Sequence, residues 1–598
     1  MINCSIIKTM KMNKNMSNLE VAELLRAISA SYQLKDPVKN KFRIIAYDRA
    51  ADAVEHLSSE IKDLWDDEKL EDIPGVGSSI SKNLGEIFKD GKSKHFEEIM
   101  KDFPPVIFEL IPLPRIGAKT AFKLVTQLGV KSISDLENKA KKGKVAKLDG
   151  FGEESQTDIL EGINEYKNKE NRMLLPYAEE IANKIIIWMK KEKSINKINS
   201  LGSLRRKAAT IGDIDISVAS NDPISCLEHF CRYPLLKKVI EKGTKTASIL
   251  LPNDVQIDLM VQSPDSYGSL LQHFTGSKHH NIALREYALK KGLSLSEYGI
   301  KDKGRIKKFS DEESFYKYLG LNYIPPELRE DFGEIEVSQE GKISDLVKFS
   351  DIKSDLHIHS DFNTETRLDL GESSMQEIIN KANKLSYEYI AFTEHNPSKS
   401  LHNQKEISDI IKRKKELIDK LNYSCMNSVK GSVKYVFNGL EIDIHQDGNL
   451  PLDDKTLDLL DFALVSIHSS FKMTRNEMTR RIISALSHKK VRIFAHPTAR
   501  KLNVREGVEI NWSEVFSFCK KYNKWIEINA DPMRLDLPDS LVRDAVKEGV
   551  LLTIGTDSHH KDSMENMKYG VYVARRGWAT KTAIVNTKGL NEFKKMIK

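Results

Sequence analysis

Seven short apolar runs punctuate residues 354–598: DLHIH, YIAFTEH, YVFNGLEID, FALVSIH, VRIFAHP, WIEINA and LLTIGTDSH. Helical segments separate them. Strands that are apolar on both faces need covering on both, so this alternation predicts a parallel sheet closed into a barrel. Six of the seven runs carry His, Asp or Glu at or beside their C-terminal ends. In β/α barrels those ends build the site. An ordinary strand-end polar residue explains any one of them, but not six.

His357 and His359 fall on one strand face. An H-x-H pair alone is weak evidence, but the later runs add His395, Glu441, His468, His496, Asp557 and His559. Imidazoles and carboxylates without thiolates suit manganese, zinc or iron. Eight such ligands can hold two or three ions and activate water against phosphate esters.

A second constellation lies upstream. In IGDIDISVAS (211–220), Ile214, Ile216 and Val218 alternate as a half-buried strand, which turns Asp213 and Asp215 to the opposite face. Two carboxylates that close repel unless a cation lies between them. VQIDLMV (255–261) adds Asp258 on the polar face of a neighbouring strand. Three such acids can hold two divalent ions about 4 Å apart, the arrangement for in-line phosphoryl transfer. Gly202, Ser203 and Arg206 of GSLRRKAATIGDIDISV (202–218) would offer amide, hydroxyl and guanidinium to a triphosphate.

Residues 19–165 read as mostly helical and carry three glycine-bearing turns: IPGVGSSISKNL (73–84), LPRIGAKTAFKL (113–124) and LDGFGEESQTDIL (148–160). The first matches a helix–hairpin–helix turn, whose glycines, Gly75 and Gly77, let backbone approach a phosphate ahead of a helix start. The second has Pro114-Arg115 in place of Pro-Gly, and the third keeps Gly150 and Gly152. Binding of this kind ignores base sequence. The net charge of +7 permits a polyanionic partner, and residues 278–308, a basic helical stretch, carry nine Lys or Arg against three Asp or Glu. Five scattered cysteines, Cys4, Cys226, Cys231, Cys425 and Cys519, suit a reducing cytoplasm. No run of 18 apolar residues predicts a membrane span.

GSLRRKAATIGDIDISV resembles the nucleotidyltransferase signature of family X DNA polymerases. LLQHFTGSKHHNIALREYALKKGLSLSEYG (270–299) is similar to that family's nucleotide-binding and thumb segment, and IPPELRE (324–330) continues the likeness. The resemblance implies that Asp213, Asp215 and Asp258 hold two magnesium ions, with Asp258 near a primer 3′-hydroxyl. Ser203, Arg206 and Gly212 would contact the phosphates of a deoxynucleoside triphosphate, while Phe274 and Gly276 lie along its sugar. His273 stands where the family has Tyr, and Lys207 where it has Gly. NKFRIIAYDRAADAVEHL (40–57) fits the small domain that grips a 5′-phosphate across a gap, with Lys41, Arg43 and Tyr47 as DNA contacts. Relatives that open abasic ends use a lysine where this chain has Asn83, and Lys82 faces about 100° away on the helix. No efficient 5′-deoxyribose phosphate lyase activity is therefore expected.

Residues from about 350 to 598 resemble the polymerase and histidinol phosphatase (PHP) domain often fused to bacterial and archaeal family X polymerases; RLDLPD and YGVYVARRGW take part in the likeness. It implies a three-metal phosphoesterase and, in fused polymerases, a manganese-dependent 3′→5′ exonuclease. An insertion precedes the family's next aspartate, leaving Asp369 as its counterpart, and T-E-H replaces T-D-H, with Glu394 not expected to be a ligand.

The expected fold is multidomain, α+β and α/β. An N-terminal tail (1–16) precedes a helix–hairpin–helix domain (17–95) and a fingers-like second one (96–165). A palm (166–262), thumb (263–335) and linker (336–353) lead to a distorted (β/α)7 PHP barrel (354–598). The expected function is short-gap filling in DNA repair, with magnesium in the palm and manganese or zinc in the barrel. Partners are gapped or primer-template DNA and a deoxynucleotide; the reading is of a cytoplasmic monomer. The alternative is a PHP phosphoesterase whose polymerase half serves mainly to bind DNA.

Overall fold

The structure, a computed structural model, describes residues 12, 14, 16, 18–55, 61, 65, 68–73, 75–113, 115–170, 172–252, 255–426 and 433–598. The expected tail, with Cys4, lies almost wholly outside the described residues, as do Pro74 and Pro114 of the first two turns. The chain forms two compact units, Met1–Asn171 and Arg172–Lys598. Among the described residues no helix is long and apolar enough to cross a membrane.

The described residues of the first unit form helices joined by turns, with no strand among them. Helices α1 (Asn18–Lys35) and α2 (Lys41–Glu55) bury Leu24, Leu25, Ile28, Ala50 and Val54 against each other and against Ile80, Leu84 and Ile87 of α3 (Ser78–Asp90). A second core gathers Ile107, Leu113, Ile116 and Leu124 around α4 (Ala118–Leu128), together with Ile159 and Ile163 of α5 (Glu153–Glu170).

The three turns fold alike. In each, one amide reaches back three residues: Val76 to the Ile73 carbonyl (2.9 Å), Ile116 to Leu113 (3.1 Å) and Phe151 to Leu148 (3.0 Å). The residue before that amide is left-handed: Gly75 at φ +87°, Arg115 at +66° and Gly150 at +79°. A Cβ on Gly75 would meet the backbone of Arg49 and Ala50 at 2.9–3.0 Å, so this position needs glycine twice over. Arg115 takes the same left-handed backbone as an exposed residue, and Glu161 holds its guanidinium at 2.9 Å. The degraded sequence of the middle copy thus did not cost it the turn.

In the second unit five strands form the palm sheet: β1 (Lys197–Ser200), β2 (Ile214–Ala219), β3 (Lys238–Lys242), β4 (Thr246–Leu250) and β5 (Gln256–Gln262), in the order β1-β2-β5-β4-β3. Only β2 and β5 run parallel. Ile214, Ile216 and Val218 are fully buried with Ile257 and Leu259, each worth about 1.5–3 kcal/mol of burial. Strand β3 was not expected; all five of its residues are exposed, so it lacks an apolar face to betray it. The basic stretch is helical only at Lys278–Leu289, then turns into a three-stranded antiparallel sheet of Ser294–Ser296, Gly299–Asp302 and Arg305–Lys307.

The barrel strands follow in chain order: β6 (Ser354–Ile358), β7 (Tyr389–Phe392), β8 (Tyr435–Asn438), β9 (Glu441–Asp443), β10 (Ala463–Ser466), β11 (Val491–Phe494), β12 (Trp525–Asn529) and β13 (Leu552–Gly555). All ladders among them are parallel. The third run breaks at Gly439-Leu440 into β8 and β9, and the His395–Glu441 bridge spans the break. The Ile358–Ser558 bridge closes the ring. One buried cluster runs without interruption from Leu175 of the palm to Ile584 of the barrel.

Candidate functional site

The palm acids sit where strand geometry places them. Asp215 on β2 is paired in register with Asp258 on β5, so the two carboxylates leave adjacent parallel strands side by side. Asp213 stands just before β2 and is exposed. Burial raises the Asp215 pKa, and Asp258 and Asp213 raise it further, to about 6. The Leu201 amide donates to the Asp215 carbonyl (2.8 Å), which sets the Gly202–Arg205 turn beside the acids. Gly202 is left-handed (φ +56°), and a Cβ there would lie 3.0 Å from Asp215 Oδ2, so a larger residue would be strained and would press on the carboxylate. Ser203 is in the same turn, and Gly212 lies under Arg172. Arg206 donates from Nε to Glu330 Oε1 (2.9 Å) and from Nη1 to the Thr275 carbonyl (2.5 Å), with Gly276 packed beneath the guanidinium. Phe274 meets His273 edge-on at 4.8 Å.

In the barrel three donor groups, each within 4.8 Å, share members: His359 with His395 and His559; His357 and His359 with Glu441 and Asp557; His395 with Glu441 and His468. The palm acids are not gathered this closely. Glu441 Oε2 lies 2.9 Å from His395 Nδ1, 3.4 Å from His357 Nε2 and 3.5 Å from His359 Nε2. His496 Nε2 lies 2.8 Å from Glu441 Oε1. All eight expected ligands therefore converge. His357 Nε2, His359 Nε2, Glu441 Oε2, His496 Nδ1 and His559 Nε2 are buried without a hydrogen-bond partner. Orphaned donors and acceptors are costly in a protein interior, and this donor set fits metal ions. Burial works against charge on His357, yet Glu527, Asp557 and Glu441 overcome it and raise its pKa well above the usual value. Burial, His559 and His395 push that of His359 well below. Asp557 (φ +53°) and His496 (φ +28°) hold left-handed backbones, strain of the kind that collects at functional sites.

Sequence reasoning missed the residues behind these expected ligands. Glu527, on a strand buried at every position, accepts from His357 Nδ1 (2.6 Å) and from the His496 amide (2.7 Å). A carboxylate inside WIEIN was the available signal. Asn529 donates to Asp557 Oδ2 (3.1 Å), and the Arg534 guanidinium lies 3.6 Å from it. Asp355, fully buried, takes the Thr556 hydroxyl and is pushed up to about 7, chiefly by burial. Glu394 turns away from the ligands: it accepts from the Ser360 hydroxyl (2.5 Å) and pairs with the fully buried Lys414. Asp369 stays exposed at the mouth, near enough to act electrostatically on His395 and Lys501 but outside the donor groups.

At the first helical domain one expectation needs correcting. Tyr47 is 4% exposed, its ring packed against Tyr32 and Phe96, so it belongs to the core rather than to a DNA surface. The helix starting at Lys41 turns that position inward. Lys41 and Arg43 are exposed as expected, and the exposed ring between them is Phe42. Asn83 is buried, donating to the Ser79 carbonyl (2.8 Å), while Lys82 faces out.

Comparison with known proteins places these sites in context. A helix-hairpin-helix domain model matches residues 16–93, a SAM-like helix-hairpin-helix tandem 107–165, the DNA polymerase beta thumb 270–330 and the PHP domain 355–531. Asp557 and His559 lie beyond that last match, yet the fold brings them into the same cluster. The DNA polymerase/3′-5′ exonuclease PolX of Bacillus subtilis (strain 168) is 32% identical over 98% of this chain and all of its own length. Rattus norvegicus DNA polymerase lambda is 24% identical over 52% of this chain and 56% of its own. Xenopus laevis DNA nucleotidylexotransferase is 23% identical over 48% and 64%. Matched along its whole length, with the hairpin, thumb and PHP segments in the same molecule, the chain belongs to the PolX family of DNA polymerases.

Proposed function

We propose that this chain fills short gaps in DNA with its palm and trims 3′ ends with its barrel. The protein is a DNA polymerase with a 3′→5′ exonuclease, and its metal-dependent chemistry is of the kind both segments carry. The observation that carries the reading is Asp215 facing Asp258 in parallel register beside the Gly202–Arg206 turn.

In this reading Asp213, Asp215 and Asp258 hold magnesium, which when bound neutralises charge on the transferring phosphate. Asp258 lies nearest the primer hydroxyl. Gly202, Ser203 and the free edge of Arg206 grip the triphosphate, with Gly212, Phe274 and Gly276 shaping its bed. In the barrel His357, His359, His395, Glu441, His468, His496, Asp557 and His559 hold manganese or zinc, which when bound supplies activated water. Glu527 fixes the tautomer and orientation of His357. Lys41, Arg43, Phe42 in place of Tyr47, and the turns at Gly75, Gly77, Gly150 and Gly152 hold DNA by its phosphates and an unstacked base. The segment boundaries given above serve as the domain division, and the protein works as a cytoplasmic monomer.

One substrate, a 5′-phosphorylated one-nucleotide gap, tests this on three proteins. Asp215→Ala should lose extension and keep 3′ trimming, and His359→Ala should do the reverse. Extension surviving in Asp215→Ala defeats the palm assignment and favours a barrel phosphoesterase that merely holds DNA.

A further inference from the structure

Two features of the sequence have no role in that reading: Lys207, where the family resemblance leads one to expect glycine, and the barrel segment YGVYVARRGW. The structure puts them in contact. Helix α6 (Met567–Arg576) places Tyr569, Tyr572 and Arg576 on one face, at spacings of three and four residues. That face lies on the palm and thumb, not on the metal cluster.

Arg576 is 9% exposed and spends its guanidinium on three partners. Nη1 donates to the backbone carbonyl of Arg206 and to Glu330 Oε1, both at 2.9 Å. Nε and Nη2 hold Asp539 of the barrel at 2.8 and 2.6 Å. The same Glu330 Oε1 accepts from Arg206 Nε at 2.9 Å. The barrel arginine therefore fixes Arg206 from two sides, through its main chain and through the acid that orients its side chain. With Nε and one Nη1 hydrogen of Arg206 already engaged, its remaining donors are on Nη2 and the outer side of Nη1.

Lys207 completes the contact. Its backbone is left-handed (φ +57°), a conformation that glycine adopts most readily. The strain of a lysine there is offset by what its side chain reaches: Glu179 at 2.5 Å and the face of the Tyr572 ring at 4.8 Å. Around this centre Arg575 holds Glu327 of the thumb (2.8 Å), and Trp578 packs into the thumb core. The Arg543 guanidinium stacks on Trp578 and on Phe332 of the thumb.

We propose that Arg576 is a positioning residue of the polymerase site, and that the fused barrel, beyond its own chemistry, supplies the outer wall of the palm's nucleotide grip. The inference rests on the proposed role of Arg206. Arg576 touches no substrate; it acts through Arg206 and Glu330. Removing it leaves Glu330 held by Arg206 alone and the 206–207 loop without the donor to its carbonyl. Nucleotide affinity falls, while the chemistry at Asp215 and the barrel nuclease continue.

The test is single-turnover primer extension with the magnesium-bound deoxynucleotide varied, on full-length wild type, Arg576→Ala, Tyr572→Ala and Asp215→Ala, with nuclease activity measured on the same preparations. Loss of a charge-assisted hydrogen bond predicts an apparent deoxynucleotide Kd raised about tenfold in Arg576→Ala. Loss of the cation–π contact predicts about a threefold rise in Tyr572→Ala. In both, the maximal rate and the nuclease should stay near wild type. An unchanged Kd in Arg576→Ala overturns the proposal. So does a rise in Kd matched by parallel losses of maximal rate and nuclease in both variants, which marks a purely structural contact. Should Arg576→Ala not fold, Tyr572→Ala decides alone. Extension persisting in Asp215→Ala is a separate result, since it removes the palm assignment on which this inference rests.

Discussion

Replacing Asp215 with asparagine should make the metal-free protein more stable, by an amount that grows with pH. Burial, then Asp258 and Asp213, raise the pKa of Asp215 from its ordinary 3.8 to about 6. Between those values the folded chain keeps a proton that the unfolded chain has released. Stability therefore falls as pH rises through this window, and the full deficit persists above it. About two units at 1.36 kcal/mol each give about 3 kcal/mol at pH 8, and the same linkage gives about 1.5 kcal/mol at pH 5. Asp215→Asn keeps the shape and removes the charge, so it should recover about those amounts. Urea titration of chelator-treated protein, read by hydrogen exchange of the Ile214–Ala219 amides, isolates this strand from the rest of the chain. Saturating magnesium should shrink the advantage or reverse it, because bound cations stabilise the ionised acid. Equal stability of the two proteins at pH 8, or a less stable asparagine variant without metal, would refute the reasoning that these carboxylates crowd one another.

Three further predictions concern two buried carboxylates and the exposed Lys82. Lys414→Ala should cost about 3–5 kcal/mol in thermal unfolding by stranding the buried Glu394 charge, and adding Glu394→Gln should return much of it. Glu527→Gln should weaken manganese binding, measured by titration, about 10- to 100-fold while primer extension is unaffected; Gly555→Ala, whose Cβ would lie 2.1 Å from Glu527 Oε1 and 2.6 Å from His357 Cβ, should do at least as much. Borohydride trapping on an incised abasic end should give the same negligible adduct in wild type and in Lys82→Ala, and a strong adduct that vanishes in the variant would restore a lyase.

Chemistry-bearing residues on regular strands were legible because strand period fixes their direction. Asp215 and Asp258 could be paired from two alternating runs, and the barrel ligands from their places at strand ends. Failures came where an environment, not a period, sets the outcome. Tyr47 looked like a DNA contact until α2 turned it between Tyr32 and Phe96. Strand β3 has no buried face and therefore no pattern. Glu527 lies behind a ligand that sequence order places 170 residues away. Lys207 stood out only as a lysine where the resemblance leads to glycine, because its partners Tyr572 and Glu179 come from elsewhere in the chain. Arg115 shows the converse: a lost glycine signal whose turn survives at an exposed position, with the guanidinium held by Glu161.

The central claim is that one chain carries two separate metal-dependent centres, one of them formed by strand-paired acids. Anomalous diffraction from crystals grown with gapped DNA and soaked in manganese tests it most directly. The account predicts peaks between Asp215 and Asp258 and a second group around Glu441. Peaks confined to the histidine cluster, with the palm acids apart and bare beside a bound primer end, would contradict it.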